Sequence, residues 1–155
     1  MKKDLTNLLK GETVPPGFEN LDSAKEYVAR YLINYINIEL EGLPREEWEK
    51  TLSTWAKICA FSKSLIPKSE EERNKLYEKF GFDMMMQGIA EDVRLTFIGM
   101  LSLGILKESE PPQNLILRAV ELIRDEDELL RKWELNPEIV RFIHDFYSSK
   151  SPQRD

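Results

Sequence analysis

Few side chains in this sequence of 155 residues could carry out acid–base or nucleophilic chemistry. His144 is the only histidine and stands next to Asp145, and Cys59 is the only cysteine. A serine or cysteine nucleophile usually needs a positioned base, and a structural zinc ion needs a cluster of cysteines and histidines. Because the chain offers neither arrangement, we predict no catalytic residue, no metal ligand and no cofactor. His144 is expected to be a surface or satisfied core residue, and Cys59 a small hydrophobe on the helical arc of Trp48 and Trp55.

One pair of carboxylates, Glu91 and Asp92, lies beside a long apolar stripe and is followed by Arg94. Paired carboxylates can act as general acid and base. Charged residues at the edge of an apolar stripe more often form ion pairs with a neighbouring helix, and we predict this second role. If the protein is instead a small helical enzyme or a carrier of an apolar ligand, with its site between helices, these three residues are the predicted polar site.

The composition predicts one folded domain with a heavily charged surface, because hydrophobic residues make up 41% and charged residues 32% of the chain. The net charge of −6 argues against a protein that binds nucleic acid through its whole surface. Residues 69–155 carry all of this excess, with 12 basic and 18 acidic side chains, whereas residues 1–68 are balanced. A basic surface must therefore lie in the first half of the chain.

A basic stripe is the most distinctive surface feature in that half. The segment from Lys50 to Ser69 contains four lysines and no acidic residue. On a helical projection the stripe consists of Lys50, Thr54, Lys57, Phe61, Ser64 and, just beyond the helix, Lys68. Lysines and hydroxyls around an aromatic ring could contact phosphates, so nucleic acid or another polyanion is one predicted partner. A second predicted partner is a protein, such as the acidic half of a second copy of this chain. The alternative to both partners is a solvated face that binds nothing.

Helical spacing of apolar residues covers most of the chain, and no segment alternates apolar and polar residues for long enough to predict a strand. The first predicted helix opens with a capping box at Ser23–Glu26 and ends near residue 42. The second runs from Pro44 to about residue 66, and the third opens with a capping box at Ser69–Glu72.

A long apolar helix over about residues 83–106 is predicted to be the centre of the fold. Its second half, Leu95–Leu106, has twelve residues without a charge, whereas a membrane span needs about 20. We therefore expect a buried core helix and no membrane association. Gly88, Gly99 and Gly104 are predicted to allow a neighbouring helix to approach closely.

Three consecutive methionines, Met84–Met86, stand at the start of this helix, which Asp83 is expected to cap. We expect these methionines to fill the core. An adaptable apolar docking site is the alternative, because flexible methionines suit such surfaces.

One further helix is predicted from about residue 113 to residue 133, and the last one opens at Asn136 and Pro137. The acidic run Asp125–Glu128 lacks the spaced ligands and the glycine of a calcium loop, so we predict a solvated helix face. Residues 1–20 are predicted to form an arm with a candidate short helix and a Pro/Gly linker, residues 21–148 the helical domain, and residues 149–155 a flexible tail.

The sequence thus predicts an all-α protein, a compact irregular or orthogonal bundle of five to seven helices around the central apolar helix. The absence of chemistry favours a non-enzymatic protein-interaction or regulatory protein, such as a small subunit of an assembly, or one that self-associates. One free cysteine and no secretory signal indicate the cytoplasm, and the shortage of glutamine beside abundant Glu and Lys leans towards a thermophilic source.

Overall fold

A computed structural model describes the backbone of residues 21–150 and the side chains of residue 30 and residues 32–149. Within residues 21–150 the chain forms seven α-helices and one 3₁₀ turn, and no strand. The elements in chain order are α1 (Leu21–Glu41), a 3₁₀ turn (Arg45–Glu47), α2 (Trp48–Ser64), α3 (Glu70–Lys79), α4 (Met84–Ser102), α5 (Asn114–Ile123), α6 (Asp127–Lys132) and α7 (Pro137–Lys150). The predicted all-α class is confirmed. The predicted arm, residues 1–20, and residues 151–155 of the predicted tail lie outside the described part, whereas Ser149 and Lys150 belong to α7.

Two helix starts follow the predicted capping chemistry. The Ser69 hydroxyl accepts the Glu72 N–H while the Glu72 carboxylate accepts the Ser69 N–H, so both halves of the capping box are present. Asp83 caps α4 by accepting the Met86 N–H at 2.8 Å. Helix α1 begins at Leu21, so Ser23 lies inside the helix rather than at its cap.

Helix α4 packs against α1, α2 and α5, as expected of a central helix. It ends at Ser102, four residues earlier than predicted, because Gly104 takes a left-handed φ of 75°. The Ile105 N–H then donates to the Met100 carbonyl at 3.0 Å and the Gly104 N–H to the Leu101 carbonyl at 3.2 Å, which closes the last turn.

The predicted role of the glycines is wrong at two of the three positions. A Cβ atom at Gly88 or Gly104 would meet nothing within 4 Å, so no helix approaches closely there. Gly104 is required by its backbone conformation at a helix end, and Gly88 is exposed. Gly99 is buried within α4.

The single helix predicted over residues 113–133 is two helices, α5 and α6, which meet at an interruption over residues 124–126. Asp127 and Glu128 lie in the first turn of α6, where acidic side chains complement the positive N-terminus of a helix. Eight of the ten residues of α5 are buried against the surrounding helices. Helix α5 packs on α1, α4 and α7, so α4 and α5 together form the centre of the fold.

Candidate functional site

The described residues form two hydrophobic clusters of unequal size. The larger one joins α1, α5 and α7 with the inner faces of α2 and α4. The smaller one lies where α2, α3 and α4 meet, and its buried members are Leu65, Tyr77 and Ala90. Partly buried aromatic rings surround this smaller cluster, which we call the corner cluster.

Four aromatic rings pack together and form the outer wall of the corner cluster. The Phe61 ring lies 5.1 Å from the Phe82 ring and 5.8 Å from the Phe80 ring, edge to face with the latter. The Tyr77 and Phe82 rings are stacked at 5.7 Å. Gly81 makes this arrangement possible with a φ of 70°, which turns the chain sharply after α3 and lets the Phe82 N–H reach the Tyr77 carbonyl at 2.8 Å. Phe80 and Phe82 thus both contact the Phe61 ring from either side of one glycine.

An apolar groove of about 230 Å³ opens between α2, the turn after α3 and the first two turns of α4. The residues that line it are Thr54, Lys57, Ile58, Phe61, Phe80, Phe82, Met86 and Ala90. Six of the eight are apolar, and the two polar ones both lie on α2. The groove can therefore take up apolar groups from one side while offering a hydroxyl and an ammonium group at one rim.

The edge of the groove is exposed to solvent. The Phe80 side chain is 57% exposed, Met85 70% and Met84 88%. The prediction that the methionines fill the core is therefore wrong for Met84 and Met85, and only Met86 packs into the groove. The first turn of α4 therefore presents two large apolar side chains to solvent in the part of the chain that the structure describes. The alternative interpretation, an adaptable apolar docking site, stays a prediction.

The structure divides the predicted basic stripe into an exposed and an inward part. Lys50, Thr54, Lys57 and Ser64 are exposed on α2, whereas Phe61 is half-buried in the groove. The two hydroxyls donate to carbonyls of their own helix, Thr54 to Lys50 at 3.2 Å and Ser64 to Phe61 at 2.6 Å. They are therefore engaged with the backbone of α2.

The lysines of this region also differ from one another. Lys63 donates to the Glu108 carbonyl at 2.8 Å, and Lys68 is partly buried in the loop before α3, where its carbonyl accepts from Arg73. Among residues 30–149, no ion pair within 4.0 Å involves Lys50 or Lys57. These two ammonium groups are the part of the stripe available to a partner.

The predicted polar site does not line the groove. Glu91 accepts from Arg73 of α3 at 2.8 Å, from Arg94 at 3.1 Å and from the Tyr77 hydroxyl. Burial raises the pKa of Glu91, but the hydrogen bonds from Arg73 and Tyr77 and the charges of both arginines outweigh it and lower the pKa below 4.5. Asp92 accepts from the Tyr35 hydroxyl of α1 at 2.6 Å. The predicted ion pair with a neighbouring helix is present at Glu91, which pairs with Arg73 of α3, whereas Asp92 contacts α1 through a hydrogen bond and Arg94 pairs within α4.

The only cysteine and the only histidine occupy structural or surface positions. Cys59 is fully buried in the larger cluster, and burial raises the pKa of its thiol far above the usual range. His144 lies on α7, where its ring contacts Arg124 and, at 3.3 Å, the Ser148 hydroxyl. No group of three or more potential metal ligands occurs within the part of the chain that the structure describes.

Sequence reasoning missed a buried ionic cluster at the start of α5. Glu110 accepts from Arg118, from Asn114 at 3.1 Å and from the Lys107 N–H at 2.8 Å. Arg118 also donates to Glu121 at 2.7 Å. No sequence pattern indicated this cluster, because arginine is ordinarily exposed and Arg118 simply interrupts an apolar run. Phe80 and Phe82 were missed as well, although the order Phe-Gly-Phe after a helix could have indicated them.

No helix between residues 21 and 150 is both long enough and apolar enough to cross a membrane. No family model matches the chain, and no solved structure matches it. The chain is 49% identical over 146 residues to an uncharacterized protein of Aquifex aeolicus strain VF5. The matched region covers 94% of this chain and 97% of that protein. This protein therefore belongs to the same family as the Aquifex aeolicus protein.

Proposed function

We propose that this protein is a non-enzymatic interaction module that binds an apolar segment of a partner protein in the groove between α2 and α4. The observation that carries the proposal is the exposed edge formed by Phe80, Met84 and Met85 next to an apolar groove. Large apolar side chains that continue into a concave surface are typical of protein-binding sites. Full burial of one such side chain contributes roughly 1.5–3 kcal/mol, so covering this edge would supply a useful part of a binding free energy.

The size of the groove favours a protein partner over a small ligand. Pockets for drug-sized molecules usually measure about 300–1,000 Å³ and bury most of the ligand. This groove measures about 230 Å³ and is open to solvent. A space of this size suits one or two anchoring side chains of a larger partner, which is how hot-spot residues bind.

The same geometry gives less support to nucleic acid as the partner. Stacking on a base needs an accessible ring face, and Phe61 is already surrounded by Tyr77, Phe80 and Phe82. Of the stripe, only Lys50 and Lys57 present ammonium groups that are exposed and unpaired within residues 30–149. Two lysines on a protein of net charge −6 would release few counterions from a polyanion.

Affinity purification of the tagged full-length protein from its native host, with mass spectrometry, tests this proposal. We expect a specific partner to co-purify with the wild type and to be reduced at least tenfold with the variant Phe80→Glu. The matched control is Ile38→Glu, because Ile38 is also a large exposed apolar residue, at 72%, and lies on α1 outside the groove. Circular dichroism of all three proteins confirms that the folds are equivalent.

Two results would contradict the proposal. The first is a partner that is captured equally by the wild type and by Phe80→Glu. The second is nucleic acid that co-purifies with the wild type and with Phe80→Glu but not with Lys57→Glu, and that nuclease removes. This result would establish the polyanion alternative instead.

A further inference from the structure

We infer that the segment bound in the groove is an acidic amphipathic helix, whose apolar face enters the groove and whose carboxylates meet Lys57 and Lys79 at opposite rims. This inference rests on the proposed function of the groove and adds the chemistry of its partner.

The α2 rim of the groove is basic. Lys57 is the only charged residue that lines the groove; it is exposed and forms no ion pair within residues 30–149. Lys50 stands two turns earlier on the same exposed face, and the sequence from Lys50 to Ser69 contains no acidic residue. A carboxylate that approaches this rim therefore meets Lys57 and Lys50, whereas Glu49, the acidic residue of α2, lies in its first turn, eight residues before Lys57.

The opposite rim carries a second lysine. The Lys79 ammonium group lies 5.8 Å from the centre of the Phe80 ring, so the exposed ring that borders the groove already has a cation at its face. Glu78 on α3 stands beside Lys79 in the sequence, and Asp83 lies on the other side of Phe80 at the start of α4. The Asp83 carboxylate accepts the Met86 N–H at 2.8 Å and faces the positive N-terminus of α4, which offsets its charge. Lys57 at one rim and Lys79 at the other are thus the cations that negative charge on the flanks of an apolar partner face would meet.

The polar lining of the groove indicates that the bound segment is a helix. An extended or polyproline segment leaves its own N–H and C=O groups without internal hydrogen bonds and needs donors and acceptors from its receptor. The groove offers only Thr54 and Lys57, and the Thr54 hydroxyl already donates to the Lys50 carbonyl. A helix satisfies its own backbone and needs only apolar contacts at i, i+3 and i+4, which an apolar groove between two helices supplies.

Fluorescence anisotropy with designed helical peptides tests this inference on the full-length protein. The probe is a labelled helical peptide with leucines at i, i+3, i+4 and i+7 and glutamates on both flanks, and its twin has lysines in place of the glutamates. We expect the wild type to bind the glutamate peptide about tenfold more tightly than its twin in low salt, with the difference shrinking as salt rises. The double variant Lys57→Glu/Lys79→Glu should reverse this preference.

Lys132→Glu is the matched control, because Lys132 is an exposed lysine on α6 and should leave the preference unchanged. Phe80→Glu should abolish binding of both peptides. Equal binding of both peptides by the wild type, lost with Phe80→Glu, would overturn the acidic helix and leave the proposed groove standing. Absence of binding, or binding that survives Phe80→Glu, would overturn both.

Two other occupants are outcomes of the same experiment. Sedimentation that shows a dimer in the wild type and a monomer in Phe80→Glu would identify a second copy as the occupant. A rise in peptide affinity in the full-chain variant Leu8→Asp would identify the chain's own residues 1–20 instead. Either result would overturn the inference of an acidic partner helix.

Discussion

The larger cluster and the corner cluster are built from similar apolar residues, yet helices cover the first and leave the second open. Helix α5 is covered by α1, α4 and α7, and Leu115, Ile116 and Val120 are fully buried there. In the corner cluster only three residues are buried, and Phe80 and two methionines face solvent. The difference lies in the number of covering elements rather than in the hydrophobicity of the residues.

Helix α3 shows why the corner cluster stays open. It has ten residues, starts with three glutamates, and contributes one buried side chain, Tyr77. A short polar helix of this kind contributes little apolar cover to the cluster. Where a fold supplies too few covering elements, apolar surface stays exposed to solvent.

Truncation of one side chain in each cluster should give very different losses of stability. We expect Ile116→Ala to lower the free energy of unfolding by about 2–5 kcal/mol, because it leaves a cavity in a fully covered site. Phe80→Ala should cost about 1 kcal/mol or less, because most of the ring already contacts water. Urea unfolding measures both, and equal losses would show that the corner cluster is closed in solution.

Loss of one arginine should lower the free energy of unfolding more in the ionic cluster around Glu110 than in the one around Glu91. Arg118→Ala leaves Glu110 without its main partner inside the fold, and we expect a loss of about 3 kcal/mol. Arg73→Ala should cost less, about 1 kcal/mol, because Glu91 is more exposed and keeps Arg94 and Tyr77 as partners. The same urea titration compares them, and a larger loss for Arg73→Ala would reverse the assignment of the stronger cluster.

These two carboxylates also make stability depend on pH. Burial raises the pKa of Glu110, but the hydrogen bonds from the Lys107 N–H, Arg118 and Asn114 outweigh it and lower the pKa below 4.5. A carboxyl group whose pKa is lowered by folding stabilises the protein above its unfolded pKa, and this contribution is lost as the pH falls through the folded pKa. We therefore expect unfolding free energy to fall below about pH 5, with a shallower slope in Glu110→Gln. An unchanged slope would show that other groups dominate acid unfolding.

The smallest effect is expected at the end of α6. Glu134 has a left-handed φ of 55°, and its N–H donates to the Arg131 carbonyl at 3.1 Å at the helix end. Glycine adopts this conformation without the steric cost of a Cβ atom, so Glu134→Gly should raise stability by about 0.5–1 kcal/mol. The equivalent residue in the corner cluster is already glycine, Gly81, and Gly81→Ala should lower stability by a similar amount. Thermal unfolding measures both changes, and a fall in stability for Glu134→Gly would show that its side chain has a contact worth more than the strain.

Periodicity and capping predicted the helical class and the positions of most helices, because these signals depend on residues within a few positions of each other. Ser69 and Asp83 cap helices as their neighbours dictated. The end of α4 and the break after α5 were not predicted, since apolar residues continue the pattern past Ser102 and past Ile123. There the backbone conformation of Gly104 ends α4, and acidic side chains stand in the first turn of α6.

The basic stripe was predicted from sequence, but the groove was not. Lys57 and Phe61 share one helical face, and that relation is local. Their meeting with Phe80 and Met86 depends on how α3 and the turn at Gly81 fold back onto α2, which no pattern within one helix encodes. The same reason hid the contacts between Glu110 and Arg118, because a buried arginine is recognised only when its partners are known.

The fully buried thiol of Cys59 makes the opening of the larger cluster measurable by thiol labelling. A thiol reagent reacts with the thiolate, and this sulfur is both inaccessible and held protonated while the larger cluster is intact. The rate of labelling under native conditions therefore measures how often that cluster opens, in the way that amide exchange measures it for a backbone N–H. Because the sequence contains no other cysteine, a single colorimetric trace follows this opening without an engineered probe.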